Sequence, residues 1–212
     1  MSIVNSPVVG MEQIQRQAFY TLFDGLNSAI DVVSAEMADS DVEFSVHTGR
    51  TYEALEVQNI EPGNFYEGHR PSLIEAPLDQ YPNCAIWATS AAAAEESQLF
   101  DHSQVFNTIL SVEVMVKASP EEGEEVVNKR TIRTIEAVHY AFMADPTLGG
   151  IVSSIGDEPS IDLSEVFTRK ERTAYGAEWF WQAGRLQYVI SKTSNIQPNV
   201  GFSLDYPGID QG

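Results

Sequence analysis

The stretch ILSVEVMVKASPEEGEEVVNKRTIRTIEAVHYAFMADP, residues Ile109 to Pro146, passes from one hydrophobic period to another. In Ile109 to Lys117, Leu110, Val112, Val114 and Val116 alternate with Ser111, Glu113, Met115 and Lys117, the two-residue repeat of a half-buried strand. Ser119 and Pro120 end it. Beyond them the apolar stripe Val127, Thr131, Ile135, Val138 and Phe142, flanked by Ile132, Thr134 and Ala141, has helical spacing and runs to about Ala144. Glu121, Glu122, Glu124 and Glu125 open this helix, where the positive end of the helix dipole favours carboxylates. Lys129, Arg130 and Arg133 stand a turn further on, within reach of i,i+4 pairing. Asp145-Pro146 closes the helix, because a residue before proline is steered out of the α region.

Working outward, Thr147-Leu148-Gly149-Gly150 reads as a turn into a strand at Ile151 to Ile155. Residues 156–178, with Pro159 and the run Arg169-Lys170-Glu171-Arg172, read as a loop insertion. Trp179 to Lys192 is the last strong strand, and 194–212 reads as an extended C-terminal tail. On the other side, Cys84 to Thr89 has the apolar character of a strand buried on both faces. Ala91 to Asp101 reads as a helical turn or surface excursion. The four prolines of 61–82 argue for an irregular arm, and Tyr52 to Ile60 gives a weak strand signal. Met11, Ile14, Ala18, Leu22, Leu26, Ala29 or Ile30, Val33 and Met37 lie on one stripe, which predicts a first helix about 40 Å long. The predicted order is α-β-β-β-α-β-β. It lacks the strict alternation of a parallel α/β fold and predicts an α+β class, with a mixed, mostly antiparallel sheet packed against two main helices in a single domain, 1–212.

Composition narrows the function classes. A chain of 212 residues buries enough surface to fold without staples, and one cysteine, Cys84, makes no internal disulfide. Twelve Lys and Arg stand against thirty-one Asp and Glu, a formal net charge of −19, which argues against a duplex-binding protein and against an anionic membrane partner. Met1 to Gly10 has no basic, apolar leader pattern, and no uncharged stretch reaches bilayer-spanning length. The expectation is a soluble protein of a reducing compartment.

Chemistry is sparse. His47, His69, His102 and His139 never fall within four residues of one another, so no metal motif forms, and His139 reads as a structural helix residue. Gly149-Gly150 follows a helix, the reverse of the strand-to-helix context of a phosphate loop. No nucleophile elbow is present, and Cys84 reads as a buried filler rather than a nucleophile. Glu121, Glu122, Glu124 and Glu125 form either an acid/base or cation site or a solvated helix start. Trp179, Phe180 and Trp181 form either a stacking platform for bases or sugars or a core and subunit-interface patch, with 179 and 181 on one side of the strand and 180 on the other. No catalytic, metal or cofactor-binding residue is assigned, and the expectation is a non-enzymatic protein that works by surface contact.

The order of elements and three phrases resemble the tail terminator proteins of long-tailed bacteriophages. The phrases are the strand-into-helix unit Ile109 to Pro146, the exit turn TLGGIV (Thr147 to Val152) and the late strand WFWQAGRLQYVISKT (Trp179 to Thr193). With the opening helix and the strand after Tyr81-Pro82-Asn83, the likeness covers about two-thirds of the chain. The arm 61–82, the insertion 156–178 and the tail 194–212 have no counterpart in that family. The resemblance implies a virion structural protein, assembled in the host cytoplasm, that forms a homo-oligomeric ring of six copies. The ring caps the head-proximal end of the tail tube, ends tube polymerisation and joins the tail to the neck. Its implied partners are the tail tube protein and a neck or head-completion protein, with DNA passing through the channel without specific binding and no membrane. On this reading Glu121, Glu122, Glu124 and Glu125 are candidates to line the channel, and Trp179, Phe180 and Trp181 to form the subunit interface. The alternative within virion assembly is a head-completion or neck adaptor on the portal side. Outside it stand an enzyme using the glutamates or Cys84, and an oligomeric binding module of another kind.

Overall fold

The computed structural model describes residues 10–49, 55–68, 80–93, 103–152, 154–156, 158–170 and 178–195. Its elements are α1 (Met11–Thr48), β1 (Phe65–Glu67), β2 (Asn83–Ala93), β3 (Ser103–Ala118), α2 (Glu124–Ala144), β4 (Ser160–Leu163), β5 (Phe167–Lys170) and β6 (Glu178–Asn195). The class is α+β, as the periodicities predict: two helices and one mixed, mostly antiparallel sheet.

The sheet runs β1-β2-β3-β6-β4, and β5 pairs with β6 further along the same edge as β4. Only β1 and β2 are parallel. The long pairing of β3 with β6, from Ser103 opposite Asn195 to Ala118 opposite Phe180, is the spine of the sheet. Both helices pack on one face, α1 over β1 and β2, α2 over β3 and β6.

Alternation sorts the side chains. Cys84, Ile86, Leu110, Val112, Val114, Leu186, Tyr188 and Ile190 point at the helices and join the stripes Ile14–Val33 of α1 and Ile135–Phe142 of α2 in the main core. At Gly184 the helix comes closest: a methyl group built there would press on the Ile135 side chain and lie 3.0 Å from Thr131 Cγ2. Tyr81, Met115 and Trp181 form a second buried cluster, flanked by Phe167 and Trp179.

Several sequence expectations need correction. The weak strand at Tyr52 to Ile60 is not a strand over 55–60, and 51–54 lie outside the described residues. Its backbone is satisfied by side chains instead of a ladder. Arg133 and Arg130 donate to the carbonyls of Leu55 (3.3 Å) and Glu56 (2.8 Å). The Asn27 amide accepts from the Ile60 N–H (2.9 Å) and donates to the Ile60 carbonyl (3.0 Å). Val57 and Ile60 reach the core three residues apart, not two.

The expected strand at Ile151 to Ile155 does not form over the described residues: 151–152 continue the turn, 154–155 carry no regular element, and 153 lies outside the described residues. Leu148, Gly149 and Gly150 all have positive φ (49°, 66° and 82°), which folds the chain back so that Val152 and Ile155 donate to Thr147 and Pro146. Both side chains are buried in the main core, so their apolar character served packing, not a ladder.

The insertion 156–178 holds β4 and β5, two four-residue edge strands too short for a period to show, while 157 and 171–177 lie outside the described residues. The arm 61–82 is not wholly irregular, for Pro62–Asn64 forms a 3-10 turn and Phe65–Glu67 forms β1; 69–79 lie outside the described residues. Ala91 to Ala93 belong to β2 rather than to a helical turn, and 194–195 belong to β6; 94–102 and 196–212 lie outside the described residues. Helix α2 begins at Glu124, after a turn that contains Glu121 and Glu122. Helix α1 continues eleven residues past Met37, to a C-cap glycine, Gly49, at φ 68°.

Candidate assembly surfaces

The acidic run is brought together at the start of α2, but its members are not equivalent. All four are exposed, and they differ in their partners. Glu125 pairs with Lys129 at 3.0 Å in the expected i,i+4 geometry. Glu122 belongs to the fold. Its carboxylate accepts from the Ser119 N–H (2.8 Å) while the Ser119 hydroxyl accepts from the Glu122 N–H (3.3 Å), a reciprocal pair that closes the turn leading into α2. Its other oxygen meets the buried Arg130 guanidinium at 2.5 Å. The hydrogen bond from Arg130, aided by Ser119, outweighs desolvation and holds the Glu122 carboxyl down at about 2.

Arg130 and Arg133 do not pair along the helix surface. Both are buried, and Arg133 reaches Asp41 of α1 at 2.7 Å. Buried arginines persist only when their donors are met, and here each guanidinium ties α2 to the segment after α1. The sequence signal available for this was S-x-x-E at Ser119 to Glu122, whose two side chains close the turn; nothing local announced the partners of Arg133.

Trp179, Phe180 and Trp181 split across the sheet as alternation requires. Trp181 is fully buried and meets Tyr81 edge-to-face, with ring centroids 4.5 Å apart. Trp179 is half-buried beside it, with the Lys117 ammonium 5.4 Å from its ring. Phe180 points the other way, against Val116, Ala118 and Val127. On the Trp181 side of the sheet, Arg185 pairs with Glu113 at 2.7 Å and lies 5.4 Å from the Trp87 ring, and Gln187 donates to Ser111. A polar ladder therefore adjoins the aromatic cluster.

The remaining candidates are individually placed. Cys84 is wholly buried, and burial pushes its thiol pKa up, which removes thiolate nucleophilicity. His139 Nδ1 lies 3.0 Å from the Tyr188 hydroxyl, with the two rings stacked. Burial raises the Tyr188 pKa. His47 is exposed in the last turn of α1, and His69 and His102 lie outside the described residues. Gly149-Gly150 is the helix exit: the Asp145 carboxylate accepts from the Gly149 N–H and the Thr147 hydroxyl from the Gly150 N–H. No cluster of three metal-ligating side chains forms among the described residues, and no described helix is long and apolar enough to cross a membrane.

Sequence reasoning missed two surfaces. The last residue of α1 buried in the core is Val33, so fifteen residues of helix, about 22 Å, extend past it. On this overhang Val42 is 60% and Val46 80% exposed. Beside it Met37, Phe44 and Ile132 line an open groove of about 310 Å³, with Lys129 and Glu136 also on its walls. The signal was Gly49, which sits where a helix C-cap glycine belongs. The second surface is the edge formed by β4 and β5. Between them, Ser164 donates its N–H to the Ala183 carbonyl and its hydroxyl accepts from the Ala183 N–H, so a side chain completes the ladder where the edge bends. Ile161 is 58% exposed there, and Leu163 is exposed as well.

No model of a known protein family matches the chain, and no curated protein matches it in sequence.

Proposed function

We propose that the chain is a virion structural protein of the tail terminator type: a ring that caps the head-proximal end of a phage tail tube, stops its growth and joins it to the neck. The observation that carries this reading is that the three stretches bearing the resemblance fold as one contiguous unit. Strand β3 passes through the Ser119–Glu122 turn into α2, α2 leaves through the Asp145–Val152 turn, and its Ile135 and Thr131 seat on Gly184 of β6. The open β4–β5 edge and the α1 overhang are unlike surfaces, as a closing ring of identical subunits requires.

The protein works by contact, without making or breaking a bond. Its partners are its own copies, the tail tube protein and a neck protein, and the site of action is the virion joint. The charge of −19 keeps passing DNA from adhering, since phosphate is repelled over a Debye length of about 8–10 Å. Glu121, Glu124 and Glu125 are the members of the acidic run to place on the channel wall; the Glu122 carboxylate is engaged by Arg130 and Ser119.

The test is to add the purified chain to polymerising tail tube protein and image by negative stain. Rings on one tube end, with tube length frozen, are expected. Rings that seat on the portal assembly and leave tubes growing would move the protein to the head-completion role. Absence of rings in both mixtures would remove it from the joint altogether.

A further inference from the structure

Ser34 is the first residue of α1 past the core, and its hydroxyl is an exception. The residue is half-buried, and among the described residues Ser34 Oγ finds no hydrogen-bond partner. Other hydroxyls on the two helices donate to the carbonyl four residues back: Ser45 to Asp41 (2.9 Å), Thr48 to Phe44 (2.8 Å), Thr131 to Val127 (2.8 Å) and Thr134 to Arg130 (2.7 Å). A buried polar atom left unbonded is a reservoir of strain. The acceptor that would relieve Ser34 is the Ile30 carbonyl. Such a bond bends a helix, and it lengthens the hydroxyl's side, as on the convex side of a curved helix.

That side faces α2. Ser34 stands three residues before Met37 and seven before Asp41, on the stripe that continues to Phe44. Met37, Asp41 and Phe44 belong to the α1 wall of the groove, and Lys129 to Glu136 supply the α2 wall. The helices are parted here rather than packed shut, for the groove measures about 310 Å³ and Phe44 and Ile132 are 52% and 38% exposed. Across it the Asp41 carboxylate meets the Arg133 guanidinium at 2.7 Å. Arg133 is a fixed post, buried and donating to the Leu55 carbonyl as well.

The geometry points to a latched arm: the Asp41–Arg133 pair holds residues 34–48 toward α2, against a bend at Ser34 that swings them away. The ion pair is the latch and the unbonded hydroxyl is the spring. Release lets Ser34 donate to Ile30, lifts Met37 from the edge of the core and re-aims the tip with Val42 and Val46. The last buried residue of α1 is Val33, so the swing leaves the core intact. From Leu26 to Thr48 the helix has neither Gly nor Pro, which leaves the serine as the cause of the bend. The device goes beyond the terminator reading and stands without it: one surface of the chain has two settings.

Distances between spin labels on the full chain test this. Cys84 is wholly buried, so labels go to Val46→Cys on the tip and Glu125→Cys on α2, both exposed. One short distance is expected in this background. Asp41→Asn adds a second, longer distance and raises its fraction at least tenfold. Arg133→Lys, which keeps the charge and loses the fork, gives the same longer distance at a smaller fraction. Adding Ser34→Ala to Asp41→Asn removes the spring and lowers the longer fraction about fivefold. The assignment is overturned if both latch variants keep the short distance alone, or if Ser34→Ala leaves the longer fraction unmoved. A broad distribution with loss of helical circular dichroism also overturns it, since the tip then melts instead of swinging.

Discussion

The two ends of α1 follow different rules. From Ile14 to Val33 every third or fourth side chain is buried against the sheet and α2, and Leu22 and Leu26 have no exposed surface. From Ser34 to Thr48 no side chain is buried, yet Val42 and Val46 are apolar and exposed. The first part is held by the fold. Helical hydrogen bonds alone give a segment of fifteen residues only marginal stability in water, so the second part depends on continuity with the first, on the packing of Met37 against the core and on the tie of Asp41 to Arg133. Val42 and Val46 face away from these ties, apolar side chains that the fold leaves open to solvent.

Mutations can break that contrast. The largest effect is expected at Leu22→Ala, which opens a cavity in the main core: about 3–4 kcal/mol of lost stability, read from urea unfolding. Asp41→Ala at the boundary leaves Arg133 buried without its carboxylate. It is expected to cost about 3 kcal/mol and to raise amide exchange selectively past Val33, sharpening the division between the halves.

The neighbouring clamp, Glu122 with Arg130, is the partly exposed counterpart of Asp41 with Arg133. The folded pKa of Glu122, about 2, lies below its ordinary 4.5. Its stabilisation is therefore present above pH 4.5 and lost as pH falls toward 2. Because the carboxylate is more than a third exposed, solvent screening holds its worth under about 1 kcal/mol. Glu122→Gln should lower stability by up to about 1 kcal/mol at neutral pH and flatten the acid limb, so that the variant and parent curves converge as pH falls toward 2. The smallest effect belongs to Val42→Ser with Val46→Ser: stability within about 0.5 kcal/mol of the parent, and loss of ring formation on the tube. A large stability loss in that pair would break the contrast, since it would place the overhang in the core's service.

The buried part of this molecule was legible because its periodicities are strong. The stripe of α1, the alternation of β3 and the stripe of α2 each repeat often enough to outvote local noise, and the split of Trp179 and Trp181 from Phe180 followed from alternation alone. Where the reading failed, the backbone found partners that no periodicity encodes. At 55–60 those partners are Asn27, Arg130 and Arg133, distant in sequence by 33 to 78 residues. At 151–155 three successive positive-φ residues turned an apolar pair inward. Strands β4 and β5 exist because β6 is long enough to offer an edge, a property of the partner and not of their own residues. The candidate surfaces were the least visible, for an exposed valine on a helix looks in sequence like the end of the stripe.

Gly184 has a consequence for how the molecule tolerates change. Helix α2 rests on β6 at a depth set by the absence of one methyl group, with Ile135 filling the place where it would stand. Alanine there lifts the helix axis or turns Ile135 aside, and because Arg130 and Arg133 ride on the same helix, the displacement carries into the segment after α1. One hydrogen atom in the middle of the sheet thus governs how α2 bears on the overhanging end of α1.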